Sequence, residues 1–252
     1  MYVVVGAALV LYGGMHLVNL GLTTEGLTIT QITLSGNTTL SAADVRSRLE
    51  GLRGQNMLAV DLEEWRQTVL DSPWIETAAI RRVLPGSVDV NVVERRPMGV
   101  GRVGRVLYLI DEHGGVIDEY GPSHGSFDLP LIDGLAGSRS GSARGPAVDG
   151  ARAALAGRLM ASLQGLPTLA ARVSQIDVTD PRDAVVILDG DTANLRVGDD
   201  QFAERLQAYL DVADALRSHV PRIDYVDLRF GEKVYVKPQS SRGAGRTIAG
   251  GE

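Results

Sequence analysis

The stretch from residue 73 to residue 97 constrains the fold of this chain more than any other. From Ser87 to Val92 polar and apolar residues alternate, which is the period of a strand with one face in a core. Leu84-Pro85-Gly86-Ser87 supplies turn residues just before it, because Pro presets φ and Gly tolerates positive φ. The residues of Glu76–Val83 are β-branched or small and mixed with charge, and they predict the partner strand of a hairpin. Pro97 cannot continue a central strand, so we expect a domain boundary there.

Upstream of this hairpin the pattern predicts one strand and two helices. Residues 27–35 alternate loosely and stop at Gly36-Asn37, as a strand does before a turn. Ser41 is placed to cap a first helix, and Asp61, with Glu64 three residues later, to start a second that Ser72-Pro73 ends. The predicted order is strand, helix, helix, strand, strand. Each element is too small to bury its apolar face alone, so both helices should pack on one face of a three-stranded sheet.

The same residues resemble a known domain. The match runs through Pro73-Trp74-Ile75, Arg81-Arg82, Leu84-Pro85 and then Val88-x-Val90-x-Val92-x-Glu94-Arg95-Arg96-Pro97. This order is similar to the end of the POTRA domain in the FtsQ/DivIB family of cell-division proteins, and 54–58 resemble that family's loop between the helices. The resemblance extends to Pro238, although more diffusely: Val197-Gly198-Asp199 and Tyr225–Phe230 are similar to the family's β domain.

Composition excludes several classes of function. The chain has 252 residues, enough for one or two domains with a real core. Its net charge of −6 leaves no basic excess to neutralise phosphates, so we expect no nucleic-acid partner. Without cysteine there is no disulfide, thiol nucleophile or cysteine-ligated zinc, and the four histidines are scattered. We therefore expect no metal and no cofactor.

The one long apolar run, Val3–Leu22, is about as long as a helix that crosses a bilayer. A signal peptide and a buried helix of a soluble domain remain as alternatives, although a basic n-region and a clear cleavage site are missing. No Lys or Arg precedes the run, so the positive-inside rule does not specify its orientation. We predict a lipid-contacting transmembrane anchor over residues 1–26. The resemblance implies a single-pass protein of the cell (inner) membrane, with most of the chain outside the cytoplasm.

We predict the fold class α+β: an N-terminal transmembrane helix, a POTRA domain over 27–97 of order β-α-α-β-β, and a mixed β-sheet domain with helices over 98–237. In the last domain, strands are expected near 106–110, 116–117, 173–178, 184–188, 193–197, 223–230 and 233–236, with helices near 148–163 and from Phe202. The Gly-, Ser- and Arg-rich residues 136–146 predict a flexible loop. Residues 238–252 predict a disordered tail.

The candidate binding residues lie in the closing hairpin. From Lys233 to Lys237, Lys or Tyr alternates with Val, giving one apolar and one basic-aromatic face. As the last strand before a tail, this segment is expected at a sheet edge, where free N–H and C=O groups can accept a strand from another chain. The alternative is that the lysines only protect the edge from aggregation.

In the FtsQ/DivIB family, partner proteins bind near the end of the β domain, and this resemblance favours the binding hypothesis. The residues expected to contact a partner are Tyr225, Asp227, Arg229, Lys233, Val234 and Tyr235. Further candidates, on the POTRA surface, are Arg81 and Arg82.

Two short motifs suggest enzyme chemistry without its structural context. Residues 99–104 satisfy G-x-G-x-x-G, but a strand rather than a helix follows, so we predict a flexible domain junction and no dinucleotide site. Residues 121–125 satisfy G-x-S-x-G, but a nucleophile elbow needs Ser123 between a strand and a helix, so we predict a turn. The remaining residues singled out have structural explanations: a hairpin turn at Asp189-Gly190-Asp191, helix starts at Glu63-Glu64 and Asp199-Asp200, and core positions for Trp65 and Trp74.

The resemblance implies a non-enzymatic scaffold of the bacterial divisome. Such a protein sits at the division septum, recruits FtsB and FtsL homologues, and links early and late septum-assembly proteins. Two alternatives remain open. A POTRA module for envelope protein assembly or secretion would be dispersed in the envelope instead of gathered at midcell. A hydrolase using Ser123 would be eliminated if Ser123→Ala retained function.

Overall fold

The structure, a computed structural model, describes residues 6, 10–15, 27–125, 127–137, 146–220, 222–231 and 233–239. The chain divides into two compact units, Met1–Arg95 and Arg96–Glu252. Each unit has its own hydrophobic core.

The predicted membrane span, Val3–Leu22, lies mostly outside the described residues. Among the residues that are described, no helix combines the length and the apolar character needed to cross a bilayer.

The first unit has the predicted order of strands and helices. Its elements are β1 (Gln31–Ser35), α1 (Ala42–Arg48), α2 (Leu62–Leu70), β2 (Ile75–Val83) and β3 (Ser87–Glu94). The sheet order is β1-β3-β2, with β1 parallel and β2 antiparallel to the central β3. Alternation in β3 buries Val88, Val90 and Val92 against the helices, as the sequence pattern predicts.

Both predicted helix starts are confirmed by their caps. The Ser41 hydroxyl accepts a hydrogen bond from the backbone N–H of Asp44 at 3.1 Å, and the Asp61 carboxylate accepts one from the N–H of Glu63 at 2.8 Å. The two tryptophans are core residues, as expected: Trp74 is buried, and Trp65 packs half-buried against the core of the first unit.

The second unit is a nine-stranded mixed sheet with helices. Its strands are β4 (Pro97–Val103), β5 (Val106–Asp111), β6 (Val116–Glu119), β7 (Leu131–Asp133), β8 (Val173–Asp180), β9 (Asp183–Leu188), β10 (Asn194–Gly198), β11 (Ile223–Phe230) and β12 (Lys233–Pro238). Its helices are α3 (Gly150–Ser162), α4 (Pro167–Ala170) and α5 (Phe202–His219). The sheet order is β12-β11-β10-β9-β8-β7-β4-β5-β6.

One core joins the helices of the second unit to the sheet. Leu155 and Leu159 of α3 and Leu206 of α5 are fully buried in the same cluster as Ile176 of β8 and Leu195 of β10. The α+β class is therefore confirmed for both units.

The predicted flexible junction at residues 99–104 is wrong, because most of this segment belongs to β4, an interior strand between β5 and β7. The glycines make room for neighbouring side chains. A Cβ on Gly101 would lie 2.5 Å from Ile110 Cγ1 and 2.7 Å from Leu135 Cδ1, closer than any real contact. Only Gly104, with φ of +67°, serves the turn into β5.

The observed limits of the two units and of the last strand differ by one or two residues from those predicted. The two units divide between Arg95 and Arg96, so Pro97 begins β4, at the first strand position where proline is tolerated. Pro238, expected to begin the tail, is the last residue of β12. The predicted loop residues 138–145 and tail residues 240–252 lie outside the described residues.

The turn predicted at Asp189-Gly190-Asp191 is confirmed, and it also anchors a helix. Gly190 has φ of +73°, and Asp191 accepts a hydrogen bond of 2.6 Å from the hydroxyl of the buried Tyr209 in α5. Burial, and then this bond to Asp191, raise the pKa of the Tyr209 phenol. This hydrogen bond therefore joins the β9–β10 turn to α5.

Of the two acidic pairs, Glu63-Glu64 lies in the first turn of α2 as expected. Asp199-Asp200 instead precedes α5, whose cap residue Gln201 has φ of 51°. Asp200 forms an ion pair of 2.7 Å with Arg205, one turn into the helix.

Candidate protein-binding edge

The strand β12 forms one edge of the nine-stranded sheet, and among the described strands it pairs with β11 alone. The edge position expected from the sequence is therefore confirmed. An edge strand leaves every second N–H and C=O group without a ladder partner on its outer side. This row of donors and acceptors is the feature that a strand from another chain can use.

The two faces of β12 differ as the alternation predicts. Val234 and Val236 are half-buried and pack against the core of the second unit. Lys233, Tyr235 and Lys237 are exposed. The apolar face therefore fixes the strand to its own sheet, while the other face presents charge and an aromatic ring.

Tyr225 and Lys237 pair across β11 and β12. The Lys237 Nζ lies 5.3 Å from the centroid of the Tyr225 ring and 3.0 Å from a carboxylate oxygen of Asp224. The ion pair with Asp224 raises the pKa of Lys237. Tyr225 is thus half-buried beneath a lysine, and Lys237 was not among the predicted contact residues.

An exposed aromatic pair stands at the end of the hairpin. Phe230 and Tyr235 are 57% and 53% exposed, and their rings meet edge to face with centroids 5.2 Å apart. The Arg229 guanidinium lies 5.7 Å from the Phe230 centroid. Phe230 was not predicted as a contact residue, although an aromatic at a hairpin end was visible in the sequence.

Asp227 and Arg229, both predicted contact residues, bind each other. Arg229 donates from Nε to Asp227 Oδ1 at 2.9 Å and from Nη2 to Oδ2 at 2.6 Å. These bonds lower the pKa of the Asp227 carboxyl and raise that of Arg229. Asp227 is only 6% exposed while Arg229 is half-buried, so the structure presents the guanidinium outward and keeps the carboxylate beneath it.

Two further ion pairs, both made by Asp183, adjoin the first. The buried Asp183 of β9 binds the Nε of Arg196 in β10 at 2.9 Å and the Nη1 of Arg229 at 3.2 Å. Sequence analysis missed both Asp183 and Arg196. Neither residue belongs to a motif, and only the strand register, in which Arg196 lies opposite Asp227, brings them to the candidate site.

The two arginines predicted on the POTRA surface lie next to each other in β2, and the side chain of Arg82 also bonds to a loop. Both are exposed residues of the edge strand β2. Arg82 donates from Nε to the carbonyl oxygen of Met57 at 2.8 Å and from Nη2 to that of Val60 at 2.7 Å. Arg82 therefore holds the loop between the helices.

The Ser123 motif forms a turn, as predicted. Ser123 lies on the 3₁₀ helix Pro122–His124, and its Oγ is 3.5 Å from the Nδ1 of the adjacent His124. The His124 Nε2 is 3.5 Å from Asp118 Oδ2. No strand leads directly into this turn and no α-helix leaves it within the described residues, so it is not a nucleophile elbow. Across the described part of the chain, no three metal-ligating side chains come together.

Two protein-family models match the chain. The model of the POTRA domain, FtsQ-type, matches residues 27–95, and that of the cell division protein FtsQ/DivIB, C-terminal, matches residues 101–229. Together they cover most of both units.

Individual relatives agree with the family models. The cell division protein FtsQ of Koribacter versatilis is 30% identical over 221 residues, which cover 86% of this chain and 62% of that protein. The FtsQ of Geobacter sp. strain M21 is 27% identical over 228 residues, 90% of this chain and 81% of that protein. This chain thus spans less than two thirds of the Koribacter protein. A solved extracytoplasmic domain of DivIB from Geobacillus stearothermophilus has 19% identity and a TM-score of 0.32, covering 50% of this chain and 98% of that one.

Proposed function

This chain belongs to the FtsQ/DivIB family of cell-division proteins, and from that premise we propose that it is a non-enzymatic scaffold of the divisome. It recruits its FtsB and FtsL homologues and links early and late septum-assembly proteins. It acts at the division septum, held in the cell membrane by its N-terminal apolar run, with most of the chain outside the cytoplasm. The partner adds a strand to β12.

The observation that carries this proposal is the position of β12 at the end of the sheet, where none of the described strands pairs with its outer side. Backbone hydrogen bonds along an edge give affinity to strand addition, and side chains on alternate positions give specificity. Here the half-buried Val234 and Val236 hold the edge in place, while Tyr235 and the neighbouring Phe230 offer exposed ring surface beside it. Aromatic residues are common anchors in protein interfaces. The lysines of β12 are compatible with protection of the edge as well, so a binding experiment must separate the two roles.

The test is capture of a complex of the FtsB and FtsL extracytoplasmic segments by the full chain. Val234→Pro removes a backbone donor and fixes φ, which should abolish strand pairing and hence capture. Tyr235→Ala keeps the backbone intact and should weaken capture by removing an exposed ring. Circular dichroism establishes that each variant is folded.

The matched control is Glu119→Pro in β6, the strand at the opposite edge of the same sheet. The N–H of Glu119 bonds the Asp118 carboxylate at 2.8 Å, so a proline there removes no bond to β5. We expect this control to bind like the parent. Equal capture by the parent and a folded Val234→Pro would discard strand addition but keep the scaffold. No capture by a folded parent would reject this scaffold role and favour a general POTRA module of envelope assembly.

A further inference from the structure

Four charged side chains form a continuous network across β9, β10 and β11. Asp227 binds Arg229, Arg229 binds Asp183, and Asp183 binds Arg196. The side chains of the two aspartates are 6% and 8% exposed, whereas those of Arg229 and Arg196 are 32% and 36% exposed. The negative charges thus lie in the sheet, and the positive charges reach its surface beside the edge hairpin.

The donors of the two arginines are only partly used. A guanidinium carries five N–H groups in a fixed planar fork. Within the described residues, Arg229 uses Nε, Nη1 and Nη2 for one bond each to the aspartates, and Arg196 uses Nε and Nη2. The remaining N–H groups are available to oxygen acceptors at the surface, such as a carboxylate or a strand carbonyl.

We propose that Asp183 is a positioning residue for partner binding at β12. Asp227, two residues before Arg229 on the same strand, accepts hydrogen bonds from the Nε and Nη2 of its guanidinium. Asp183 binds the third nitrogen from β9, two strands further in, and so stops the guanidinium from turning away from the surface. The same carboxylate fixes Arg196. The partner therefore meets two pre-oriented guanidinium groups, which reduces the ordering that binding must supply. This inference rests on the proposed function.

A purely structural role for Asp183 makes a different prediction. Its Oδ1 also accepts the backbone N–H of Gly198 at 3.1 Å, where the register between β9 and β10 shifts. Asp183→Asn is the discriminating change, because an amide oxygen can still accept from Gly198 while the charge that holds both arginines is lost. Asp183→Ala removes both interactions and separates the two contributions.

The experiment measures the affinity of the full chain for the FtsB–FtsL extracytoplasmic segments. We expect Asp183→Asn to weaken binding about tenfold, while circular dichroism stays like that of the parent. The matched control is Asp191→Asn. Asp191 has a side chain that is 6% exposed, an arginine partner at 3.1 Å and a backbone bond from Ala193 at 3.1 Å, but it serves the β9–β10 turn and α5. Its replacement should leave affinity unchanged.

A double-mutant cycle tests whether Asp183 acts through Arg229. In an Arg229→Ala chain, Asp183→Asn should cause a markedly smaller loss of affinity, the remainder passing through Arg196. An equal loss in both backgrounds, or an unchanged affinity in the single variant, would overturn the proposal.

A second readout does not need the partner. In the free parent chain, NMR should resolve separate Nη–H signals of Arg229, because the two aspartates slow rotation of the guanidinium. In the Asp183→Asn chain, faster rotation should average these signals. If the folded parent binds neither segment, the proposed function fails, and this spectrum alone decides the positioning role. Identical Arg229 signals in parent and variant would refute it.

Discussion

At the scale of single residues, the Glu94 carboxylate of the first unit accepts four hydrogen bonds from one loop. Its carboxylate accepts the backbone N–H groups of Thr38, Thr39 and Leu40 at 2.9, 2.7 and 2.9 Å and the Thr38 hydroxyl at 2.8 Å. Burial by itself would raise the pKa of Glu94, but the four hydrogen bonds outweigh it and lower the pKa to about 2. One side chain at the end of β3 thereby fixes the loop between β1 and α1.

Glu94→Gln should lower the free energy of unfolding of the first unit by roughly 2–3 kcal/mol at neutral pH. Because folding depresses the pKa from 4.5 to about 2, the contribution of Glu94 is complete above pH 4.5 and is lost as the pH falls toward 2. The difference between parent and variant should therefore shrink in that window. Urea unfolding followed by tryptophan fluorescence, at neutral pH and within the window, measures it.

The control for this prediction is Glu76→Gln, at an exposed glutamate of β2 in the same unit. It should leave the unfolding free energy nearly unchanged at both pH values, since surface substitutions usually have small effects. A Glu94→Gln loss of unfolding free energy of the same size at both pH values would contradict the role of the Glu94 charge in its hydrogen bonds to Thr38, Thr39 and Leu40.

At the scale of secondary-structure elements, the packing of β4 depends on glycines that leave room for the side chains of its neighbours. Gly101→Ala would place a methyl group 2.5 Å from Ile110 Cγ1 and 2.7 Å from Leu135 Cδ1, both fully buried. We expect a cost of about 1–3 kcal/mol in the stability of the second unit, as for other overpacked cores. Thermal unfolding followed by circular dichroism measures this cost. Gly121→Ala, at a glycine with nothing within 4 Å, is the control and should be near neutral; equal stability of the two variants would show that β4 tolerates the methyl group.

The same strand marks the limit of what the sequence could predict. Local patterns sufficed for the caps at Ser41 and Asp61 and for the β2–β3 hairpin. They suggested an edge position for β12, which only the order of the strands in the sheet establishes. They failed at residues 99–104, because a glycine that admits a neighbouring side chain looks the same in sequence as one that permits flexibility.

Partners distant in sequence were equally out of reach. β4 pairs in parallel with β7, and Asp183 meets Arg229 46 residues later. Nothing in a local period specifies such pairs, because they depend on the register of a sheet whose strands are not consecutive. The candidate site was accordingly predicted as a hairpin, without the inner strands that orient its arginine.

At the scale of the whole molecule, the two units have separate cores that share no residue. Both tryptophans of the chain, Trp65 and Trp74, lie in the first unit. Tryptophan fluorescence should consequently report unfolding of the first unit, whereas far-ultraviolet circular dichroism reports both. Compact units with their own cores are in principle able to unfold separately.

Matched cavities in the two cores test this independence. Leu49 and Leu195 are each fully buried, one in each core, so Leu49→Ala and Leu195→Ala should each cost about 2–5 kcal/mol. In urea, Leu49→Ala should lower the midpoint seen by fluorescence, and Leu195→Ala should leave it where it is while shifting part of the dichroism transition. If both variants lower the fluorescence midpoint equally, the two units unfold as one cooperative body, and a substitution that destabilises one unit would then destabilise the other.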